Sequence, residues 1–424
     1  MPSVLRSSGT GSSEIEIIVV GCGFAGLACA IESKRKGHKV IVLEKRPSLE
    51  SLGACALKQS ATGLMAICTQ HEFMYMHNFD GELLATQPLP QRLYGSNSYN
   101  GRRGEIHDVL LQYAKKLGAD VRFNQNVETY WEDAERGRAG VIVNGERMEA
   151  DVVVGADGAR SRAREIVLGY EDKPIPSGYA IYRAWFNSRE QGLDTDPLTS
   201  FFCKKGGEFY AWIGKDVHML AMSFRDGEEM CWVLTHKDEH DIGESWSYPG
   251  KISDVLTYVK DWDPCCSALI RKAPFCVDWK LVQRDPLPTW VSKGGYTIVI
   301  GDAAHPFLPS WQSTSTSMQG ASQGVEDGVT IATVLDLASK KNIPLATRTF
   351  EHIRYDRVRR AQALGESNRN RMHKDPESRD EDVSMPFPEW LLDFDAEKHA
   401  RNLYDKVSGD ILLSGYMRPS ELAS

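Results

Sequence analysis

The chain of 424 residues is short of several things, and each shortage closes a class of function. It has no surplus of basic residues: 50 Lys and Arg stand against 58 Asp and Glu, for a formal net charge of -8. A general nucleic-acid binder would show a basic footprint instead. No apolar run approaches the roughly 20 residues that a membrane helix needs. The N-terminal stretch MPSVLRSSGTGSSE lacks the apolar centre of a signal peptide and reads as a disordered lead-in. The nine cysteines are odd in number and scattered, with no CxxC and no His/Cys cluster at zinc spacing. They read as reduced thiols in a cytoplasmic protein, with Cys265 and Cys266 adjacent in a loop. No metal site is expected, and no internal repeat is found.

What is present suffices for a real core: 42% of residues are hydrophobic and 25% charged. The length allows one large or two ordinary domains. EIEIIVV (14–20) is a β-branched run of strand length, followed by a glycine-rich turn and a helix, LACAIESKRKG, ending at Gly37. HKVIVLEKR is a second strand, which completes a βαβ unit for a parallel sheet. After Gly104, apolar spacing at Ile106, Leu110, Tyr113 and Leu117 predicts a helix that stops at Gly118. Short strands follow, with a hairpin turn at Asn144-Gly145. From about 174 to 286 the pattern becomes aromatic-rich strands: SGYAIYRAWF, TSFFCKKGGEFYAWIG and VHMLAMSF. After GGYTIVIGDAA the α/β style returns, with a helix over VEDGVTIATVLDLASKK and a basic helix after it. The expected fold class is α/β, a Rossmann-like part (14–173 and 287–370) interrupted by a β-rich insert (174–286). A C-terminal extension (371–424) closes the chain.

Gly21-x-Gly23-x-x-Gly26 stands directly between a strand and a helix. The first glycine makes the tight turn, the second admits a pyrophosphate to the backbone, and the third lets helix pack on strand. The helix N-terminus favours the phosphates through its free N–H groups and dipole. Glu44 ends the second strand 18 positions after Gly26 (44 − 26), where an acid grips a ribose hydroxyl pair. A dinucleotide is therefore expected, and Cys22 reads as a small filler. Further pieces follow in order: Arg102-Arg103-Gly104 opening a helix, Asp157-Gly158 after a strand, and Gly301-Asp302 after another.

With those pieces on one chain, residues 14–370 resemble the class A, single-component flavoprotein monooxygenases. These are the salicylate and p-hydroxybenzoate hydroxylases, and the flavour is that of fungal secondary metabolism. The resemblance implies a glutathione-reductase-type FAD-binding domain, split into 14–173 and 287–370, around a substrate-binding sheet domain. It implies FAD as resident cofactor and NAD(P)H as co-substrate without a domain of its own, and no second strand–GxGxxG–helix is found. By the same resemblance Glu44 binds the adenosine ribose and Arg103 contacts the flavin side. Asp157 lies near the pyrophosphate and NAD(P)H, and Asp302 at the ribityl–phosphate portion. Pro309 precedes the ring, and Gly320 and Ala321 aim backbone N–H groups at the pyrimidine edge. The implied reaction delivers one oxygen of O2, through a flavin hydroperoxide, to an aromatic carbon of a phenolic or indole-like substrate.

Arg183, in GYAIYRAWF, matches an arginine that clamps a substrate phenolate in the fungal relatives, a task suited to a permanent charge with a planar fork of donors. Tyr210 is a candidate partner hydroxyl. His218, Leu220, Met222 and Phe224 share a strand face by period 2 and either line the cavity or pack in the core. His305 reads as a structural member of the flavin motif. Epoxidation, Baeyer–Villiger oxygenation and oxidative cyclisation remain open on this scaffold, as does a non-catalytic binding protein of flavin fold. A halogenase is disfavoured because no W-x-W occurs. Small-molecule substrate and O2 are the expected partners, with no nucleic acid or membrane, and the chain is expected to be a monomer or homodimer. Two stretches depart from the resemblance. LESLGACALKQSA lacks the expected glycine-rich run, and nine residues separate Pro309 from Gln319 (319 − 309 − 1), STSTS among them. Lengthening a loop severalfold costs only about 1 kcal/mol of closure entropy. Trp311 to Met318 is expected to form an extended loop over the flavin or cavity mouth.

Overall fold

A computed structural model describes residues 14–48, 54–57, 64, 67–89, 99–173, 175–204, 206–238, 248–284, 286–307, 319–372 and 388–422. Pro309 and the loop from Trp311 to Met318 lie outside them. Five parallel strands make the first sheet, in the order Thr297–Val299, Val152–Gly155, Glu16–Val20, Lys39–Leu43, Asp120–Arg122. Alternation of side chains explains the unbroken apolar run in the Glu16–Val20 strand. Ile17 and Val19 enter the helical side with Leu27, Cys29, Ile331 and Leu335, while Ile18 and Val20 enter a second cluster with Ala139 and Val141. That second face is covered by an antiparallel sheet of Val127–Asp133, Arg138–Val143 and Glu146–Ala150. Its hairpin turns at Asn144 (φ 49) and Gly145 (φ 79), the two positive φ values that the sequence Asn-Gly supplies.

The other large sheet has eight strands, and two of them come from outside the expected insert. Its order is Tyr248–Gly250, Cys276–Gln283, Ile175–Asn187, Glu229–Lys237, His218–Phe224, Phe209–Ile213, Phe73–Asn78, Leu83–Pro88. One face packs on helices Ile252–Tyr258 and Pro264–Arg271. The other carries Ile181, Trp185, Leu220, Met222, Cys231 and Val233 in a separate cluster.

Local expectations fail in instructive places. The strand expected from TSFFC is a 3-10 turn, Ser200–Cys203, because Phe201 and Phe202 both pack towards the same cluster, which strand alternation forbids. Cys265 and Cys266 lie in a helix rather than a loop. The signal was Asp263-Pro264, since Asp263 accepts from the Cys265 amide (3.0 Å) as N-cap and Pro264 occupies the first turn. Their thiols are free. In helix Arg103–Lys116 the buried stripe runs through Ile106, His107, Leu111 and Ala114, so Tyr113 is exposed (44%). No described helix is long and apolar enough to cross a membrane.

One buried imidazole sets an acid limit on this fold. His71 is wedged edge-on against Phe209 and Phe224, with Nε2 2.9 Å from the Ser223 carbonyl. Burial pushes its pKa down to about 4. The unfolded chain therefore takes up this proton first, near pH 6.5, and the folded state only near pH 4. Stability contributed by neutral His71 is complete above pH 6.5 and drains away as pH falls towards 4, by a total on the order of 3 kcal/mol. His71→Gln should flatten that part of the stability profile, measured by urea unfolding between pH 7 and 4. An unchanged slope would remove His71 as the titrating group.

Candidate active site

The glycine-rich turn is built as its sequence demands. Gly21 has φ +100, and a Cβ there would fall 2.3 Å from the Ala156 carbonyl oxygen. A Cβ on Gly26 would fall 2.1 Å from the Gly21 carbonyl oxygen, so helix Phe24–Arg35 approaches the strand only through glycine. Gly23 differs: as N-cap it has ordinary extended backbone (φ −79, ψ −174), and a Cβ there meets nothing within 4 Å. Open space at a helix N-terminus, flanked by unbonded N–H groups, is where a diphosphate fits.

Glu44 closes the turn from one side. Its Oε2 accepts from the Cys22 amide (3.0 Å) and its Oε1 from the Arg46 amide (2.9 Å). Each oxygen keeps a lone pair for a hydroxyl donor. His107 closes the turn from the other side, with Nε2 2.5 Å from the Cys22 carbonyl and its ring edge-on to Phe24. Burial lowers the His107 pKa, so the neutral ring is the form that donates. Cys22 itself is pushed up to about 12 by burial, as befits an inert filler.

Three further segments converge on this turn. Asp157 is close enough that a Cβ on Gly21 would touch its Cα. Its Oδ2 accepts from Tyr130 Oη (3.0 Å) and the Arg162 amide (3.1 Å), while its buried Oδ1 has no partner among the described residues. Burial raises its pKa. Gly301-Asp302 forms a 3-10 turn beside Ala25. Helix Gln319–Ala338 crosses helix Phe24–Arg35 tightly, since a Cβ on Gly324 would lie 3.2 Å from Ala25 Cβ and one on Gly328 2.5 Å from the Cys29 amide. Gly320 and Ala321 are thereby held at the same end as Gly23 and Asp302. Arg103 opens its helix with its guanidinium 4.9 Å from the Phe24 ring centroid. An open cradle, an orphaned buried carboxylate oxygen and two helix N-termini at one place fit a dinucleotide.

Sequence reasoning missed the residue that rivets these segments together. Arg164 is fully buried, and it donates from Nε to the Ala303 carbonyl (2.7 Å) and from Nη2 to the Asp302 carbonyl (2.9 Å). Nη1 binds Asp172 (2.8 Å) and the Ala159 carbonyl (3.2 Å). Burial lowers its pKa to about 10, which still leaves it cationic at neutral pH. In ARSRAR one arginine looks like another, and only the fold selects it.

Register across the eight-stranded sheet places the remaining candidates. Arg183 pairs with Val233, Val233 with Leu220, and Leu220 with Ala211, so these four share one face. Tyr210, one residue from Ala211, therefore points to the opposite face and cannot be the partner hydroxyl of Arg183. It donates to Glu208 (3.2 Å) and stacks on Tyr75 (centroids 5.1 Å apart). His218, Leu220, Met222 and Phe224 do lie on the Arg183 face, but the whole strand is buried on both sides. Arg183 itself sits 5.8 Å from the Trp279 ring centroid. Burial lowers its pKa, Cys231 opposes that, and the charge of Arg103 adds to the lowering. Arg102 lies 6.0 Å from the ring of Trp185, two residues along the same face. The sheet face of Arg183 thus opens towards the end of the first domain where the cradle lies.

Comparison with known proteins agrees with this geometry. A family described as an FAD binding domain matches residues 14–173. The FAD-dependent monooxygenase nanF of Aspergillus nanangensis is 35% identical, over 93% of this chain and 89% of that protein. Asperlicin C monooxygenase of Petromyces alliaceus is 32% identical, over 96% of this chain and 92% of that protein. The crystal structure of CtdE in complex with FAD and substrate 4 matches with a TM-score of 0.86 at 32% identity, covering 95% of this chain and 100% of that one.

Proposed function

The chain belongs to the class A FAD-dependent monooxygenases of fungal secondary metabolism, and from that premise we propose that it oxygenates an aromatic small molecule, phenolic or indole-like, with NAD(P)H and O2. NAD(P)H gives up a hydride, one oxygen atom enters the substrate, and the other leaves as water. Bound FAD supplies the hydride acceptance and oxygen activation that no side chain can. The protein's residues hold, orient and exclude water. Gly21, Gly23 and Gly26 admit the diphosphate to the helix end, and Glu44 takes the ribose hydroxyls. Asp157 and Asp302 flank the diphosphate and the ribityl chain, Arg103 stands on the flavin side, and Gly320 and Ala321 offer N–H groups to the pyrimidine edge. Pro309 completes that set by resemblance.

The observation that carries the substrate class is the Arg183 face. A half-buried Arg183 shares its sheet face with Ile181, Trp185 and Val233 and stands beside Trp279, so a cationic donor fork is set within aromatic and aliphatic walls. A planar ring bearing one anionic or acceptor oxygen fits such a wall. The substrate-binding part is residues 174–286 with the two strands of 73–88 added. Free thiols at the described cysteines suit the cytoplasm, for a monomer or homodimer.

The test is a panel of phenols, indoles and non-aromatic ketones or olefins, incubated with FAD-loaded protein, NADH or NADPH and isotope-labelled O2. Ligand-stimulated NAD(P)H oxidation, with one labelled oxygen in a phenol or indole, is the expected result. Labelled product from the ketones or olefins alone would replace hydroxylation by Baeyer–Villiger or epoxidation chemistry. A cyclised product carrying no labelled oxygen would point to oxidative cyclisation, and hydrogen peroxide alone would mark uncoupled turnover.

A further inference from the structure

Outside the site just described, a buried network of charges runs from the flavin-side turn to the C-terminal segment. Asp327, fully buried in helix Gln319–Ala338, accepts at Oδ2 from the Gly301 amide (2.9 Å), with His305 Nε2 2.5 Å away. Both lie in the turn that carries Asp302. Its Oδ1 accepts from Arg354 Nε (2.8 Å). Arg354, also fully buried, donates from Nη2 to the Gln323 side chain (2.7 Å) and from Nη1 to Glu326 (2.6 Å). It thereby braces the first turns of the helix that begins at Gln319. Glu326 passes the chain on, accepting from Arg357 Nε (2.8 Å) and Nη2 (2.9 Å).

Arg357 ends the chain on the C-terminal segment. Its Nη1 donates to the Trp390 carbonyl (2.5 Å) and its Nη2 to the Leu391 carbonyl (3.1 Å), while the Phe394 ring centroid lies 3.4 Å from its Cζ. These tether points lead straight into helix Ala396–Ser414, capped by Asp395 (2.9 Å to the Lys398 amide). A second tether comes back from beyond that helix. Tyr416 donates to Glu351, which also accepts from Thr289 (2.7 Å) and the Trp290 amide, and the Trp290 ring lies 5.0 Å from that of His305. Both routes end at His305. Desolvation opposes the charge on Asp327, but His305 and Arg354 outweigh it and hold the carboxyl below its ordinary range.

We propose that the C-terminal segment 388–422 is part of the cofactor's support, and that Arg357 is a positioning residue that sets the Gly301–His305 turn and the start of helix Gln319–Ala338 against FAD through Glu326, Arg354 and Asp327. The inference rests on the reading that this turn and helix end face the flavin. The links from Arg357 through Glu326 and Arg354 to Asp327 are charge-assisted bonds between side chains, and the two ends fasten to backbone groups of Gly301, Trp390 and Leu391, so one displaced member shifts the next.

The experiment compares full-length holoprotein with Arg357→Met, Arg357→Lys, Phe394→Ala and a control, Leu412→Ser, whose side chain is 72% exposed on the same segment. Three quantities are read: the FAD dissociation constant, the flavin midpoint potential, and thermal unfolding of the apoprotein. Arg357→Met and Phe394→Ala should each weaken FAD roughly fivefold to tenfold, the scale of coupling carried by such networks. Arg357→Lys should recover part of that loss, and Leu412→Ser should change nothing. The potential should move to more negative values, because a loosened helix end stabilises the reduced, anionic flavin less. An apoprotein that melts earlier while FAD affinity and potential match the parent would reduce the network to mere packing and overturn the proposal. Should Arg357→Met fail to fold, Phe394→Ala and Arg357→Lys decide alone. A parent chain that binds no FAD would overturn the prior reading of the site, and this inference with it.

Discussion

Gly23→Asp is expected to leave the folded apoprotein at least as stable as the parent while abolishing its hold on FAD. The two effects separate because Gly23 is not glycine for the protein's own sake. Its backbone is ordinary extended chain and a Cβ there meets nothing within 4 Å. Aspartate is a preferred N-cap and complements the helix dipole, so stability should hold or rise by about 0.3–1 kcal/mol. The same carboxylate would stand where the diphosphate approaches the helix end. Like charges about 4 Å apart at an effective dielectric near 20 repel by about 4 kcal/mol, so the FAD dissociation constant should rise at least about a hundredfold. Gly26→Ala should behave in the opposite way. Its methyl would press 2.1 Å from the Gly21 carbonyl oxygen and 3.3 Å from Val19 Cγ1, so the fold itself is damaged. Fluorescence titration of FAD and thermal unfolding of both apoproteins read the contrast. A Gly23→Asp protein that binds FAD as the parent does would show that the cofactor's diphosphate lies elsewhere.

The cradle was legible in the sequence because its glycines advertise themselves, Gly21 and Gly26 through a backbone or clearance that admits only glycine and Gly23 through the approach it leaves open, as do a strand-ending acid at Glu44 and an Asn-Gly hairpin. What stayed hidden has a common physical cause. Arg164, His107 and the Asp327–Arg354 pair act through bonds to backbone or side chains 22 to 139 positions away, and no local period marks them. Face parity in the eight-stranded sheet is hidden in the same way. Tyr210 and Arg183 each alternate correctly within their own strands. Whether they share a face depends on register accumulated across the two strands between them, Glu229–Lys237 and His218–Phe224. Strand Phe73–Asn78, with Met74 and Met76 fully buried on one side, was not read from the sequence. Neither was its parallel pairing with Phe209–Ile213, far along the chain.

Parity turns the choice between Arg183 and Tyr210 into the second large expected effect. Arg183→Met should lower oxygenated product about a hundredfold to a thousandfold, the usual loss when one preorganised donor to a developing charge is removed. FAD affinity should stay unchanged, because Arg183 belongs to the sheet and not to the cradle. The apoprotein should stay folded, since methionine fills similar volume at this half-buried position. Arg183→Lys keeps the charge but loses the planar fork, so it should recover only a small part of the activity. Tyr210→Phe, on the far face with its hydroxyl spent on Glu208, should leave turnover within about twofold, consistent with loss of one modest, half-buried hydrogen bond. The measurement is product formed per NAD(P)H consumed, with hydrogen peroxide counted alongside. An Arg183→Met enzyme that consumes NAD(P)H and makes parental amounts of product would strip Arg183 of its role, whereas one that melts early and loses FAD would make it structural. If Tyr210→Phe instead gave the larger loss, the substrate would lie on the helix-covered face and the register argument would fail with it.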